Sequence, residues 1–176
     1  MNKKPMTQTQ SRAHMAALAK LYGAPPPVFT ESKSYAPKKR PLSTIPPTIA
    51  VWGDIAYRGE CEIEWREHAA FVGRVRRTFH ATYGALLVHV KNEGLRTDDE
   101  ARNAKMMGMK AGTPDIIIPA KTPFICEIKR TDSTKSSTTN EQITYLETAQ
   151  NQGCYVCFAL GAEAAWEALE HWLTIK

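Results

Sequence analysis

The sequence predicts an α/β fold, a mixed β-sheet flanked by helices, preceded by a basic, proline-rich arm. Apolar residues recur at helical spacing over 64–79, 141–152 and 162–173, while short alternating or β-branched runs fall at 85–91, 115–118, 124–129 and 155–160. The elements follow in the order helix, strand, helix, strand, strand, helix, strand, helix, which suits helices packed on a sheet of mixed direction. Eight of the eleven prolines, and nine Lys or Arg against three acids, lie within residues 1–60.

A chain of 176 residues with 43% hydrophobic content is long enough for one domain with a core. The net charge of +5 hides an uneven distribution: residues 61–176 carry 14 basic and 15 acidic groups. No apolar run reaches the roughly 18–20 residues that span a bilayer, and no apolar stretch follows Met-Asn-Lys-Lys-Pro, so a cytoplasmic protein without membrane contact is expected. Cys61, Cys126, Cys154 and Cys157 include one close pair, set inside an apolar run. They read as small buried side chains in a reducing compartment; a four-cysteine zinc site would want a second pair.

The arm is expected to cover residues 1–58 in largely extended or disordered form. Within it, Ser11 to Tyr22 is a short helix burying Met15, Leu18 and Leu21, ended by Gly23 and three prolines. Lys38-Lys39-Arg40 reads either as a targeting cluster or as a phosphate-binding tail. Residues 59–176 form the domain. Its first helix, Glu64 to Phe79, places Phe71, Val72, Val75 and Phe79 on one face. Ala85 to Lys91 is a strand with Leu86, Val88 and Val90 on one side. Thr97-Asp-Asp-Glu100 is a capping box opening a helix through Ala101, Ala104 and Met107 to Gly108. Strands at Asp115–Ile118 and Phe124–Lys129 follow, and Thr131 to Asn140 reads as a flexible polar link. Glu141 to Gln152 is a helix ended by Gly153, Tyr155 to Leu160 a buried strand, and Ala162 to Leu173 the closing amphipathic helix.

A Pro-Asp and a Glu-x-Lys stand twelve residues apart, at Asp115 and at Glu127 and Lys129. A lone Glu-x-Lys is expected about once in a chain of this length. Geometry makes the pair more informative. With Pro119 to Pro123 as a hairpin loop, 118 faces 124, 117 faces 125 and 115 faces 127. Opposed Cβ atoms are about 4.5–5.5 Å apart, where like charges repel, so one acid takes up a proton or a cation is bound. Lys129 projects from the same face as Glu127. Two carboxylates and an ammonium suit phosphodiester cleavage, with the acids holding Mg²⁺ and the lysine orienting water or stabilising developing charge. The alternative is a surface hairpin with solvated charges.

The run Asn92-Glu-Gly94, Lys105-Met-Met-Gly108, Gly112-Thr-Pro-Asp115, Glu127-Ile-Lys129 and Gln142 before Gly153 resembles the VRR-NUC nucleases of the PD-(D/E)xK superfamily, over roughly residues 62–160. The resemblance implies a restriction-endonuclease-like core, dependence on Mg²⁺ or Mn²⁺, and nicking or cutting of DNA, often branched DNA in recombination and repair. It implies Asp115 and Glu127 as metal ligands and Lys129 as the catalytic lysine. Phage members resemble Holliday-junction resolvases and act as homodimers.

The family also has a glutamate on the first helix aimed at the metal, for which the chain offers Glu64 and Glu67. Glu64 lies within about 40° of the helix's apolar direction and Glu67 nearly 100° away, which favours Glu64. His68 shares that face and reads as a packed or polar histidine, with a contact to phosphate or active-site water as the functional reading. Gln142 matches a helical glutamine of the family, and Thr139-x-x-Gln142 is equally a capping box. Tyr145, one turn on, reads as packing, with a contact to DNA as the functional reading. Arg96, Arg102, Lys105, Lys110 and Arg130 are candidates for contacts to DNA phosphates, or solvated charges. The leading expectation is a metal-dependent, structure-selective deoxyribonuclease. A catalytically silent DNA-binding or partner-recruiting module of the same fold, and an α/β scaffold with a coincidental motif, are the alternatives.

Overall fold

The structure, a computed structural model, describes residues 38–90 and 103–175, together with Ala17 and Lys20. The compact unit carrying the sheet runs from Pro37 to Lys176. Of the helix expected at 11–22 only Ala17 and Lys20 are described, both helical, while the capping box at 97–100, Arg96 and Arg102 lie outside the described residues.

Among the described residues, seven strands and four complete α-helices build this unit. They are β1 (Lys39–Arg40), β2 (Ala50–Trp52), α1 (Glu64–Thr78), α2 (Tyr83–Leu86), β3 (Val88–His89), β4 (Ile116–Ile118), β5 (Phe124–Lys129), β6 (Thr138–Thr139), α3 (Asn140–Asn151), β7 (Tyr155–Leu160) and α4 (Ala162–Ile175). Residues 103–106 are also helical. Five strands form one sheet in the order β2-β7-β5-β4-β3. β2, β7 and β5 run parallel, while β4 is antiparallel to both β5 and β3. The fold is therefore α/β with a mixed sheet flanked by helices, as the element order predicts.

Period-two alternation along the central strands sorts side chains to two cores. Phe124, Cys126 and Ile128 of β5, with Cys157 and Ala159 of β7, pack against Phe71 and Val75 of α1 and Ala165, Leu169 and Trp172 of α4. Ile125, Val156 and Phe158 face the other way onto Ile143 and Leu146 of α3 and onto Ile49. Among the described residues, no helix is long and apolar enough to cross a membrane.

Three local expectations need correction. Residues 38–58 are not an extended arm: Ile49 is 2% exposed, β2 pairs with β7, β1 pairs with β6, and Trp52 Nε1 donates to the Tyr155 hydroxyl at 3.0 Å. The polar link 131–140 is ordered, because its hydroxyls and carboxylate bond one another and the backbone. Asp132 accepts from the Thr134 amide and hydroxyl and from the Gly59 amide, Ser133 Oγ donates to Ile55 O, and Thr138 is buried in β6. Finally, 85–91 begins as a helical turn. Gly84 lies so close beneath α1 that a methyl group there would meet Arg76 Cα and the carbonyls of Val75 and Phe79. The strand is thus shortened to Val88–His89, with Leu87 buried and Leu86 and Val88 exposed.

Candidate active site

β4 and β5 pair Ile118 with Phe124, Ile117 with Ile125 and Ile116 with Cys126. This is the register of the proline-bounded hairpin, and it brings Asp115, one residue before β4, level with Glu127. Asp115 Oδ2 accepts from the Ile128 amide at 2.9 Å, which ties the carboxylate to the strand opposite.

Glu127 and Lys129 both point toward the α3 face of β5 and are 1% and 5% exposed. Lys129 Nζ lies 2.7 Å from Glu127 Oε1 and 3.6 Å from Glu64 Oε1. Burial pushes the Glu127 carboxyl up to about 8, the Asp115 charge adds to this, and the Lys129 ammonium opposes it. Burial alone would depress Lys129, but the Glu127, Glu64 and Asp115 carboxylates outweigh it and hold the ammonium above its ordinary value. The second carboxylate oxygen of Glu127, Oε2, is buried with no hydrogen-bond partner among the described residues.

Gln142 caps α3 and also contacts Glu127. Its amide nitrogen and the Thr139 hydroxyl close the capping box of α3. Its Oε1 accepts from the Thr139 amide at 3.0 Å and from the Thr138 hydroxyl at 3.2 Å. The side-chain NH₂ is thereby turned toward the sheet, where it donates to Glu127 Oε1. Gly112 makes this approach feasible. It adopts φ +77°, and a methyl group there would overlap the Glu141 carbonyl and the Gln142 nitrogen.

The two first-helix glutamates separate cleanly. Glu64 faces Lys129, with the Ser136 hydroxyl 3.5 Å from its other oxygen. Glu67 turns to the N-terminus of α4, accepting from the Ala162 amide at 2.8 Å and the Thr131 hydroxyl at 3.1 Å. His68 is buried. Its Nε2 lies 3.2 Å from Ile128 O and 3.4 Å from Asp115 Oδ2, and its Nδ1 lies 3.1 Å from His89 Nε2. From sequence, His89 is only one position on a face of the strand expected at 85–91, and a single histidine there carries no functional pattern.

The basic candidates are more dispersed. Lys105 is exposed. Lys110 Nζ stands 5.6 Å from the centre of the Tyr145 ring, a cation–π contact. Arg130 donates from Nε to Glu62 O at 3.1 Å and from Nη2 to Cys61 O at 3.4 Å, so it fastens the segment leading into α1.

The arrangement offers hard oxygen donors, Asp115, Glu127 and Glu64, around one ammonium. A solved structure described as a VRR_NUC domain protein is similar to this chain, with a TM-score of 0.55 and 21% sequence identity, over 68% of this chain and 93% of that one. The likeness establishes the fold. No family profile and no curated protein matches the sequence.

Proposed function

We propose that this chain is a metal-dependent endonuclease that hydrolyses DNA phosphodiester bonds, using Mg²⁺ with Mn²⁺ as a substitute. The observation that carries the reading is the buried, unpartnered Oε2 of Glu127 beside Asp115. A buried acceptor without a donor costs about 1–3 kcal/mol, and a second carboxylate level with it adds repulsion. Oxygen donors of this kind fit a hard divalent cation, which Asp115, Glu127 and Glu64 would hold. When bound, such an ion neutralises charge on the scissile phosphate and lowers the pKa of water.

The remaining roles belong to the chain itself. Lys129, whose ammonium is favoured by the acidic side chains of Glu127, Glu64 and Asp115, acts as a cation toward the phosphate or the attacking water rather than as a base. Gln142 is a positioning residue, donating to Glu127 Oε1 while Thr138 and Thr139 fix its own carbonyl. In-line attack by water leaves 5′-phosphate and 3′-hydroxyl ends. Preference for branched DNA, and action as a homodimer, extend the proposal on the strength of the motif resemblance. Lys105 and Lys110 are the described candidates for phosphate contacts. Residues 1–36, with five Lys or Arg and one Glu, would add non-specific affinity.

The test is a cleavage panel of single strand, duplex, flap, fork and four-way junction in Mg²⁺ and in Mn²⁺. Cutting of the branched substrates ahead of linear duplex is expected. Failure to cut any of them in either ion would overturn the reading.

A further inference from the structure

One donor atom from each of His68, His89 and Asp115 lies within 4.8 Å of the other two. The His68 and His89 nitrogens facing each other are 3.1 Å apart. Two nitrogens bound to one ion at about 2.0–2.1 Å, in tetrahedral or octahedral geometry, have a separation of this order. Ile128 O can only accept, so the His68 nitrogen facing it, Nε2, carries the hydrogen. The lone pair on Nδ1 then points toward His89. A backbone carbonyl fixing the far nitrogen of an imidazole is the usual outer-shell arrangement of a metal-binding histidine. His68 is 8% exposed, while His89 is exposed and gives the cluster an opening to solvent.

We infer that His68, His89 and Asp115 form a second metal site, distinct in donor type from the carboxylate set, that takes a borderline first-row divalent ion such as Zn²⁺ or Co²⁺ in preference to Mg²⁺. Imidazole nitrogen suits such ions, whereas Mg²⁺ favours oxygen and retains its water. Three protein ligands leave a position open to solvent or substrate. The inference deepens the proposed nuclease reading by sharing Asp115 with it, so that two ions would flank that carboxylate. It does not depend on cleavage being observed.

Its test is direct Co²⁺ binding to the metal-stripped full-length protein, followed by calorimetry and by the visible absorption of the bound ion. Wild type should bind one equivalent with a nitrogen and oxygen ligand spectrum. His89→Ala, a surface change, should keep the fold by circular dichroism and weaken Co²⁺ by at least about 10-fold. Glu127→Gln should retain the Co²⁺ site, which separates it from the carboxylate site. No Co²⁺ binding by wild type, unchanged affinity in His89→Ala, or a thiolate charge-transfer band would overturn the inference. Absence of DNA cleavage in both Mg²⁺ and Mn²⁺ alongside an intact, His89-dependent Co²⁺ site would overturn the nuclease reading alone.

Discussion

Lys129 Nζ sits 2.7 Å from Glu127 Oε1 with both side chains almost fully buried, so the contact is not screened by water. Replacing Lys129 by Met keeps the volume and removes the cation. Breaking a buried ion pair typically costs about 3–5 kcal/mol. Here the cost should fall at the low end of that range or below it, because burial raises the Glu127 carboxyl and lets it take up a proton. Cleavage by Lys129→Met should drop roughly 100- to 1,000-fold, as for loss of a transition-state-stabilising group. Chemical denaturation and single-turnover cleavage read the two effects separately.

Glu64 and Glu67, one turn apart on α1, should behave oppositely. Glu67→Ala removes the acceptor for the Ala162 amide at the start of α4 and should lower stability by about 1 kcal/mol, with the Mg²⁺-induced thermal shift preserved. Glu64→Gln should leave the metal-free melting temperature nearly unchanged and shrink that shift. The reverse pattern would assign the metal-facing role to Glu67.

Gly112→Ala tests how the sheet and α3 are brought together. The added methyl would be strained at φ +77° and would collide with the Glu141 carbonyl and the Gln142 nitrogen, pushing the Gln142 amide away from Glu127. Activity should fall more than stability. Wild-type cleavage by a folded Gly112→Ala protein would show that the contact from Gln142 is dispensable.

Asp132 carries a pH signature. The Thr134 hydroxyl, then the Thr134 and Gly59 amides and the Lys135 ammonium, hold its carboxyl down to about 2, against an ordinary value of 3.8. A depressed folded-state value means stability that is present above 3.8 and lost as pH falls toward about 2. Asp132→Asn should therefore melt below wild type at pH 7, and the gap should close as the solution is acidified through that window. A gap independent of pH would remove Asp132 from the acid response.

Local chemistry explains which parts of this architecture could be read from residues alone. The 115/127 pairing was legible because a proline at each end bounds the loop and period-two alternation does the rest. The helical wheel sets Glu64 nearer the apolar direction of α1, yet Glu67 is the buried one of the two, because the Ala162 amide and the Thr131 hydroxyl draw it in. Elements that owe their existence to distant partners were not legible. β2 is three residues between Pro46-Pro47 and Gly53, and it is a strand only because β7, about a hundred residues later, pairs with it. Residues 131–140 have the composition of a linker, yet Asp132, Ser133 and Thr138 are buried through hydrogen bonds that composition does not reveal. His89 reaches His68 only because Gly84 lets the chain turn tightly against α1 before β3 begins.

Mg²⁺-dependent cleavage of a four-way junction by wild type and by Asp115→Ala, with folding and junction binding measured on the same samples, tests the catalytic assignment most directly. Wild type should produce nicks that carry 5′-phosphate and 3′-hydroxyl ends and are sealed by ligase. Asp115→Ala should bind the junction and melt cooperatively but cut at background. Cutting at the wild-type rate by Asp115→Ala would contradict the assignment.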